Sequence, residues 1–389
     1  MINDIPYYVD PPSYEYFLHH HLIPNIPCII GPKLINHWKA RQKWIQPLKK
    51  VKKDRGDDDE ARDSFATATA DSTQDPIPQM QPNYDYLKHF FGKVEVQVAV
   101  CDQRDFSDQK RIFMPFDKFI DLWQTEPQRY YLKDWHFVKS FPNQDMYQIP
   151  DIFSDDWMNE YWQKETEDDY RFSYMGGHGT FTPFHADVFR SYSWSSNICG
   201  IKKWTLFPPH QEQLYKDKLG NMVYDIRNID SNQFPHFSKA KKMIIYQKDG
   251  ETVFVPSGWF HQVENIGATI SINHNWFNAC NIEQCYQSLS NDLKDVEQSI
   301  DDLKKEMDRK DFMDTCQQLL LAHSGWNWMI LNKLLDCIST RLKKEQEERN
   351  KVHYHHPSPV FTLQPSYQWQ MDKIEDIRNR LKSSSSTLS

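Results

Sequence analysis

His185-Ala186-Asp187 is the place in this chain where side-chain types and spacing point most directly to chemistry. It closes a strand-like run, Thr180-Phe181-Thr182-Pro183-Phe184, and residues i and i+2 of a strand project from one face. An imidazole and a carboxylate so placed can take adjacent positions on one metal ion. A third ligand must come from another strand, and His261 is the best candidate. It follows Val253-Phe254-Val255-Pro256-Ser257-Gly258-Trp259-Phe260, where a strand ends in a Pro/Gly turn that presents the next side chain inward. Two histidines and one carboxylate make the facial triad of non-haem Fe(II) oxygenases, which leaves positions for a co-substrate and dioxygen. Alone, the HxD triplet is common by chance.

Lys202 adds weight to it. It sits in Cys199-Gly200-Ile201-Lys202-Lys203-Trp204-Thr205-Leu206-Phe207-Pro208-Pro209, a run that reads as a strand. A lysine turned into an apolar barrel would carry an unpaired buried charge, which is costly. The carboxylate of an acid co-substrate would supply the counter-charge, and the Thr182 hydroxyl could hydrogen-bond that same carboxylate. Lys203 would then face outward, since strand neighbours alternate. Other suggestive residues have plainer readings. Gly176-Gly177-His178-Gly179 lacks the Lys-Ser/Thr of a phosphate loop and reads as a turn at a pocket mouth. His19-His20-His21 and His353-Tyr354-His355-His356 could bind metal only adventitiously.

These motifs lie in a β-rich middle. Short runs at Tyr170–Met175, Ser191–Cys199, Lys203–Phe207, Lys242–Gln247, Glu251–Val255, Gln262–Asn265 and Thr269–Trp276 are punctuated by Gly and Pro, which suggests a sandwich or jelly roll. Upstream, Pro27–Pro32 holds a short strand, Val94–Val100 alternates as a strand, and Asp117–Trp123 opens an amphipathic helix. Residues 49–82 run from a basic block through an acidic one into Ala/Thr/Ser/Gln/Pro, a composition that cannot offset its ordering entropy. After 281 the texture is helical. Leu289, Leu293, Val296, Ile300, Leu303 and Met307 form a heptad seam that either packs on its own domain or pairs two copies as a homodimer. From 346 the chain is polar and ends in a serine run, as a loose tail would.

Composition narrows the classes. Aromatic residues reach 14% (13 Trp, 19 Tyr, 23 Phe), so a real core exists despite the polar segments. No apolar run is long enough for a membrane span, and the start has no secretory pattern. A formal net charge of −8 argues against direct nucleic-acid binding. Seven scattered cysteines, none in CxxC spacing, fit reduced thiols in a cytoplasmic or nuclear protein and exclude a Cys-rich zinc module.

The ordered series Thr182–Asp187, Trp194, Gly200–Pro209, Val255–Val263 and Asn273-His274-Asn275-Trp276 resembles the JmjC (jumonji) family. The resemblance implies a mainly β fold with α decoration: a double-stranded β-helix (cupin-like jelly roll) with a C-terminal helical region. It implies His185, Asp187 and His261 as ligands of Fe(II), and Thr182 and Lys202 as partners of the distal carboxylate of 2-oxoglutarate. It places Asn275 near iron and co-substrate, while Ser193 and Ser195 stand where several members carry an Asn. Residues 1–48 would then form the N-terminal part of the fold, 49–82 a disordered insertion and 83–280 the core. Residues 281–345 would form the helical region and 346–389 a flexible tail. The activity implied is O2-dependent hydroxylation of a protein, coupled to decarboxylation of 2-oxoglutarate to succinate and CO2. Around His185–Ser195 the likeness is to the family's lysyl hydroxylase of the eukaryotic translation termination (release) factor. A JmjC histone lysine demethylase and a non-catalytic cupin binding module are the alternatives.

Overall fold

The computed structural model describes residues 4–48, 80–353 and 365–386. An eleven-stranded sheet is organised around two long strands, Tyr192–Phe207 and Phe260–Trp276, paired antiparallel from Tyr192↔Trp276 to Phe207↔Phe260. On one side of this pair come Thr252–Val255, Cys28–Ile30 and Tyr7–Tyr8. On the other come Arg171–Gly176, Tyr130–Trp135, Glu95–Asp105 and Asp108–Pro115. Two short strands complete it: Met243–Gln247 on the first long strand and Phe181–His185 on the second. This is the expected jelly-roll core with helical decoration, and the C-terminal helices follow it in the chain.

The sequence divides each long strand in two, at Gly200 and near Gly267, and the structure does not. Strands of 16 and 17 residues exceed the usual length and survive by bending at bulges. The register shifts between Asn197 and Ile201, where Gly200 has φ 80°. A Cβ there would lie 2.4 Å from the Ala268 carbonyl oxygen, so only glycine lets the two backbones approach. The bulge also changes which parity faces inward. Ser193 and Ser195 precede it and Lys202 follows it, yet all three are buried.

A first core packs the sheet against the N-terminal elements, with Trp38, Trp44, Trp123, Trp194 and Trp276 all buried. A second unites helix Trp157–Glu165 with the C-terminal helices Ile282–Ser299, Arg309–Ser324, Trp328–His353 and Tyr367–Ser386. The heptad seam belongs to it. Leu289, Leu293 and Val296 are buried against the chain's own helices, and the helix stops at Ser299, before Ile300, Leu303 and Met307. Of the two readings of the seam, packing on its own domain accounts for these three residues.

Two boundaries need correction. Residues 49–79 of the expected insertion lie outside the described residues, but Met80–Pro82 form a strand against Ile45–Pro47. Pro82 tolerates that place because a two-stranded edge does not require its missing N–H. Nor is 346–389 simply a flexible tail. Residues 354–364 and 387–389 lie outside the described residues, but Tyr367–Ser386 is a helix that buries Met371, Ile374, Ile377 and Leu381. Its apolar residues are sparse and spaced for one helical face, so composition hides it. All seven cysteines are free, and among the described residues no helix is long and apolar enough to cross a membrane.

Ile374→Ala should cost about 2–5 kcal/mol, as large-to-small core changes do. Glu375→Ala, on the exposed face of the same helix, should stay within about 0.5 kcal/mol. Thermal melting of both variants checks this; equal effects would show the helix undocked.

Candidate active site

His185 and His261 are directly opposed across the pairing of their strands, with ring centroids 4.4 Å apart. Asp187 follows two residues after His185, just past the strand end. One ligand atom from each of the three residues lies within 4.8 Å of the other two. The sequence-predicted triad is assembled, and it could hold one divalent ion.

Each histidine is fixed by a contact close to it in sequence. Nδ1 of His185 lies 2.8 Å from the Pro183 carbonyl oxygen, and Nδ1 of His261 lies 2.9 Å from that of Trp259. A carbonyl oxygen only accepts, so Nδ1 carries the proton in both rings and Nε2 presents its lone pair. Burial, reinforced by His261 nearby, pulls the His185 imidazole down to about 4. It is thus neutral at physiological pH, the form a metal needs. Ser193 Oγ donates to Asp187 Oδ2 at 2.7 Å, fixing one carboxylate oxygen. The residues before each histidine, Phe184 and Phe260, pack together (5.3 Å between centroids) in an aromatic cluster with Phe207, Tyr215 and Phe237.

Lys202 is 2% exposed; its Nζ donates to the Tyr131 hydroxyl at 3.2 Å and stands 5.5 Å over the Tyr174 ring. Burial pulls its pKa down to about 7. The Thr182 and Asn265 side chains flank the same Tyr131 hydroxyl. A register shift between His261 and Val263 lets Thr182 and His185, three residues apart, serve one interior. The result is an ammonium, a phenol and a hydroxyl converging with no anion among them: a donor set that fits a carboxylate. Lys203 faces out, paired with Glu264 at 2.9 Å. Asn275 is buried, stands opposite Ser193 in the strand pairing, and donates to Ser191 Oγ at 3.2 Å.

Sequence reasoning missed Tyr131 and set Ser193 aside. Tyr131 sits far upstream of the motif residues, and nothing in Tyr130-Tyr131-Leu132 says which tyrosine turns inward. Ser193 could have been found, because it shares parity with Ser191 and Ser195 on the strand leaving Asp187. Three other histidines among the described residues stay outside the site. His178 is exposed and meets the Gly267 amide at 3.4 Å, and His21 is buried between Tyr8 and the Ile26 carbonyl. His136 with Asp168 and Asp169 forms a second cluster, but Arg171 and Lys139 already neutralise those carboxylates.

A bent jelly roll carrying two histidines and a carboxylate beside a carboxylate-shaped donor set defines a class, the cupin-like metal oxygenases. A model of the cupin-like domain matches residues 14–282. The chain is 38% identical over 338 residues to the 2-oxoglutarate and iron-dependent oxygenase JMJD4 of Danio rerio, covering 84% of this chain and 72% of that protein. It is 41% identical over 336 residues to the arginine-specific demethylase JMJ20 of Arabidopsis thaliana, covering 81% and 65%. It is 30% identical over 421 residues to JmjC domain-containing protein 1 of Schizosaccharomyces pombe, covering 95% and 90%. The chain belongs to the JmjC family of cupin-like oxygenases, which use 2-oxoglutarate, Fe(II) and O2.

The uncompensated ammonium generates a test that needs no ligand. The folded state holds Lys202 near 7 against 10.5 for the free side chain, so its penalty is complete below pH 7 and lifts between 7 and 10.5. Lys202→Met should therefore raise the melting temperature of the ligand-free protein at pH 7, and its advantage should shrink towards pH 10. Lys203→Ala, which removes a partly exposed ion pair, should cost no more than about 1 kcal/mol. A Lys202→Met protein less stable than wild type at pH 7 would show that the ammonium has a counter-charge.

Proposed function

We propose that this 2-oxoglutarate- and Fe(II)-dependent oxygenase is a protein hydroxylase, and that its target is a lysine of the eukaryotic translation termination (release) factor. The observation that carries the co-substrate part of the reading is the buried Lys202, which has no acid partner among the described residues. His185, Asp187 and His261 hold the iron. Lys202, Tyr131 and Thr182 take the distal carboxylate of 2-oxoglutarate, and Asn275 and Ser193 line the iron-proximal side. When bound, the iron supplies the redox chemistry that the side chains lack. One oxygen atom of O2 ends in succinate, formed with CO2 from 2-oxoglutarate, and the other in the hydroxyl group placed on an unactivated C–H of the substrate. The protein's own part is geometric. Backbone carbonyls hold both imidazoles with Nε2 free, Ser193 fixes the carboxylate, and the aromatic cluster of Phe184 and Phe260 keeps the two histidine strands together.

The lysine target rests on the likeness of His185–Ser195 to JMJD4-type sequences. An enzyme with that target would meet it in the cytoplasm. The name of the Arabidopsis relative supports a second reading, demethylation. Hydroxylation of an N-methyl group releases formaldehyde, whereas lysine hydroxylation retains the added oxygen. Recombinant release factor incubated with the protein, Fe(II), 2-oxoglutarate and O2 should therefore gain one oxygen atom on a lysine, read by peptide mass spectrometry. Formaldehyde from methylated histone lysine or arginine peptides, with no change to the release factor, would decide for demethylation.

His185→Ala and Asp187→Ala should each abolish succinate formation while retaining the fold; near-normal turnover in either would remove that residue from the iron site. The pH dependence of co-substrate binding follows from Lys202. A carboxylate binds the ammonium form, so above pH 7 binding must draw a proton from solution. The Kd for 2-oxoglutarate should rise with pH, approaching about tenfold per unit above 7. Calorimetry in buffers of different ionisation enthalpy should show proton uptake, and Lys202→Met should lose both the affinity and the uptake.

A further inference from the structure

Directly after Asp187 the backbone does something costly. Phe189 and Arg190 are consecutive residues other than glycine in left-handed conformation, with φ 56° and 54°. A side chain at such φ crowds its own backbone, and the conformation persists only where the surroundings over-determine it. Local hydrogen bonds supply part of the hold: Arg190 N donates to Asp187 O at 3.0 Å and Ser191 N to Val188 O at 2.9 Å. These bonds close the turn, but they do not select its hand.

The selection comes from elsewhere in the chain. The Phe189 ring is buried in the helical core, 4.4 Å from Trp326 and stacked 5.4 Å from Trp162, with Tyr170 edge-on at 5.5 Å. Trp326 is fully buried at the junction between helices Arg309–Ser324 and Trp328–His353, just after Gly325, whose φ of 77° caps the first of them. Arg190 also touches the sheet, its guanidinium 4.6 Å over the ring of Phe260, the neighbour of His261. The turn thus ties the chain after Asp187 both to the C-terminal helical region and to the His261 strand.

We propose that the C-terminal helical region, through Trp326 packed on Phe189, holds Asp187 in its metal-ligating place. The inference rests on the iron-site reading above. Trp326 and Phe189 are positioning residues: neither ring takes part in the chemistry, and both act through the backbone that carries the carboxylate. Without the Trp326 ring the turn relaxes to an ordinary right-handed or extended form. Asp187 then swings off the axis shared with His185 and His261.

The test is Co(II) binding to the full chain, read by its visible absorption without substrate. Trp326→Leu should weaken Co(II) affinity about tenfold or more, the range for supporting residues around metal ligands, and should alter the band shape as the carboxylate leaves. Trp326→Phe, which keeps a ring on Phe189, should restore most of the affinity. Leu342→Ala, elsewhere in the same core, should lower the melting temperature and leave Co(II) binding unchanged. Should Trp326→Leu fail to fold, Phe189→Leu removes the same contact from the turn's side and should show the same loss of affinity. Wild-type affinity in Trp326→Leu or Phe189→Leu, or an equal loss in Leu342→Ala, overturns the proposal while the triad stands. A wild-type chain that takes up no Co(II) overturns the metal reading and this inference with it.

Discussion

The pairing of Tyr192–Phe207 with Phe260–Trp276 is the constraint on which the rest of the molecule depends. One strand carries Ser193, Ser195 and Lys202; the other carries His261, Asn265 and Asn275. Because side chains alternate along a strand, a slip of one residue would exchange every one of these for its outward neighbour. The slip is blocked by the bulge at Gly200, which fits only against Ala268, and by the direct opposition of Leu206 and His261. Phe181–His185 then reads its register from the second strand, which sets His185 opposite His261. Three metal-ligand candidates from two distant parts of the sequence meet because one ladder of backbone hydrogen bonds has a single acceptable alignment.

That interior is expensive. Ser193, Ser195, Asn197, Lys202, Asn265, Ser271 and Asn275 are all buried, and among the described residues the Ser271 hydroxyl and the amide oxygens of Asn197 and Asn265 find no partner. Each unmet group costs on the order of 1–3 kcal/mol. Most of the buried aromatic side chains lie in two other places, the tryptophan-rich N-terminal core and the helical core. The N-terminal and C-terminal additions thus contribute apolar burial that offsets the cost of the polar pocket.

Much of the site was legible because its chemistry is carried by short, local patterns. His185 and Asp187 are two residues apart, the turn before His261 is written in Pro256 and Gly258, and Lys202 and Lys203 are adjacent on a strand, so only one of them can face inward. Even the tautomers are local, set by carbonyls two residues upstream of each histidine. The fold class was legible for a similar reason, since strand alternation and breakers repeat every few residues. What escaped depends on long-range alignment. Tyr131 turns inward because Tyr131 pairs with Gly176, a fact with no trace near residue 131. The two long strands read as four, because the glycines that bend them look like the glycines that end strands. The helix Tyr367–Ser386 read as a tail, because four buried apolar residues among polar neighbours suffice once a partner surface exists.

Locality also explains how the burden of precision is divided. A carboxylate at the end of a strand is less constrained than a histidine within one, since its backbone leaves the ladder at that point. His185 and His261 are held by strand pairing and by carbonyls of their own segments. Asp187 has left the ladder; the Ser193 hydroxyl fixes one of its carboxylate oxygens and the Arg190 amide closes a turn on its carbonyl, but neither ties its main chain to the sheet. The missing restraint must come from what the departing chain packs against, and here that is the helical region built after the sheet is complete. In a jelly-roll oxygenase the two histidines can therefore be as accurate as the sheet itself, whereas the third ligand is only as accurate as the element that receives the turn. The strained backbone at Phe189 and Arg190 marks where that accuracy is imposed on the chain from outside the sheet.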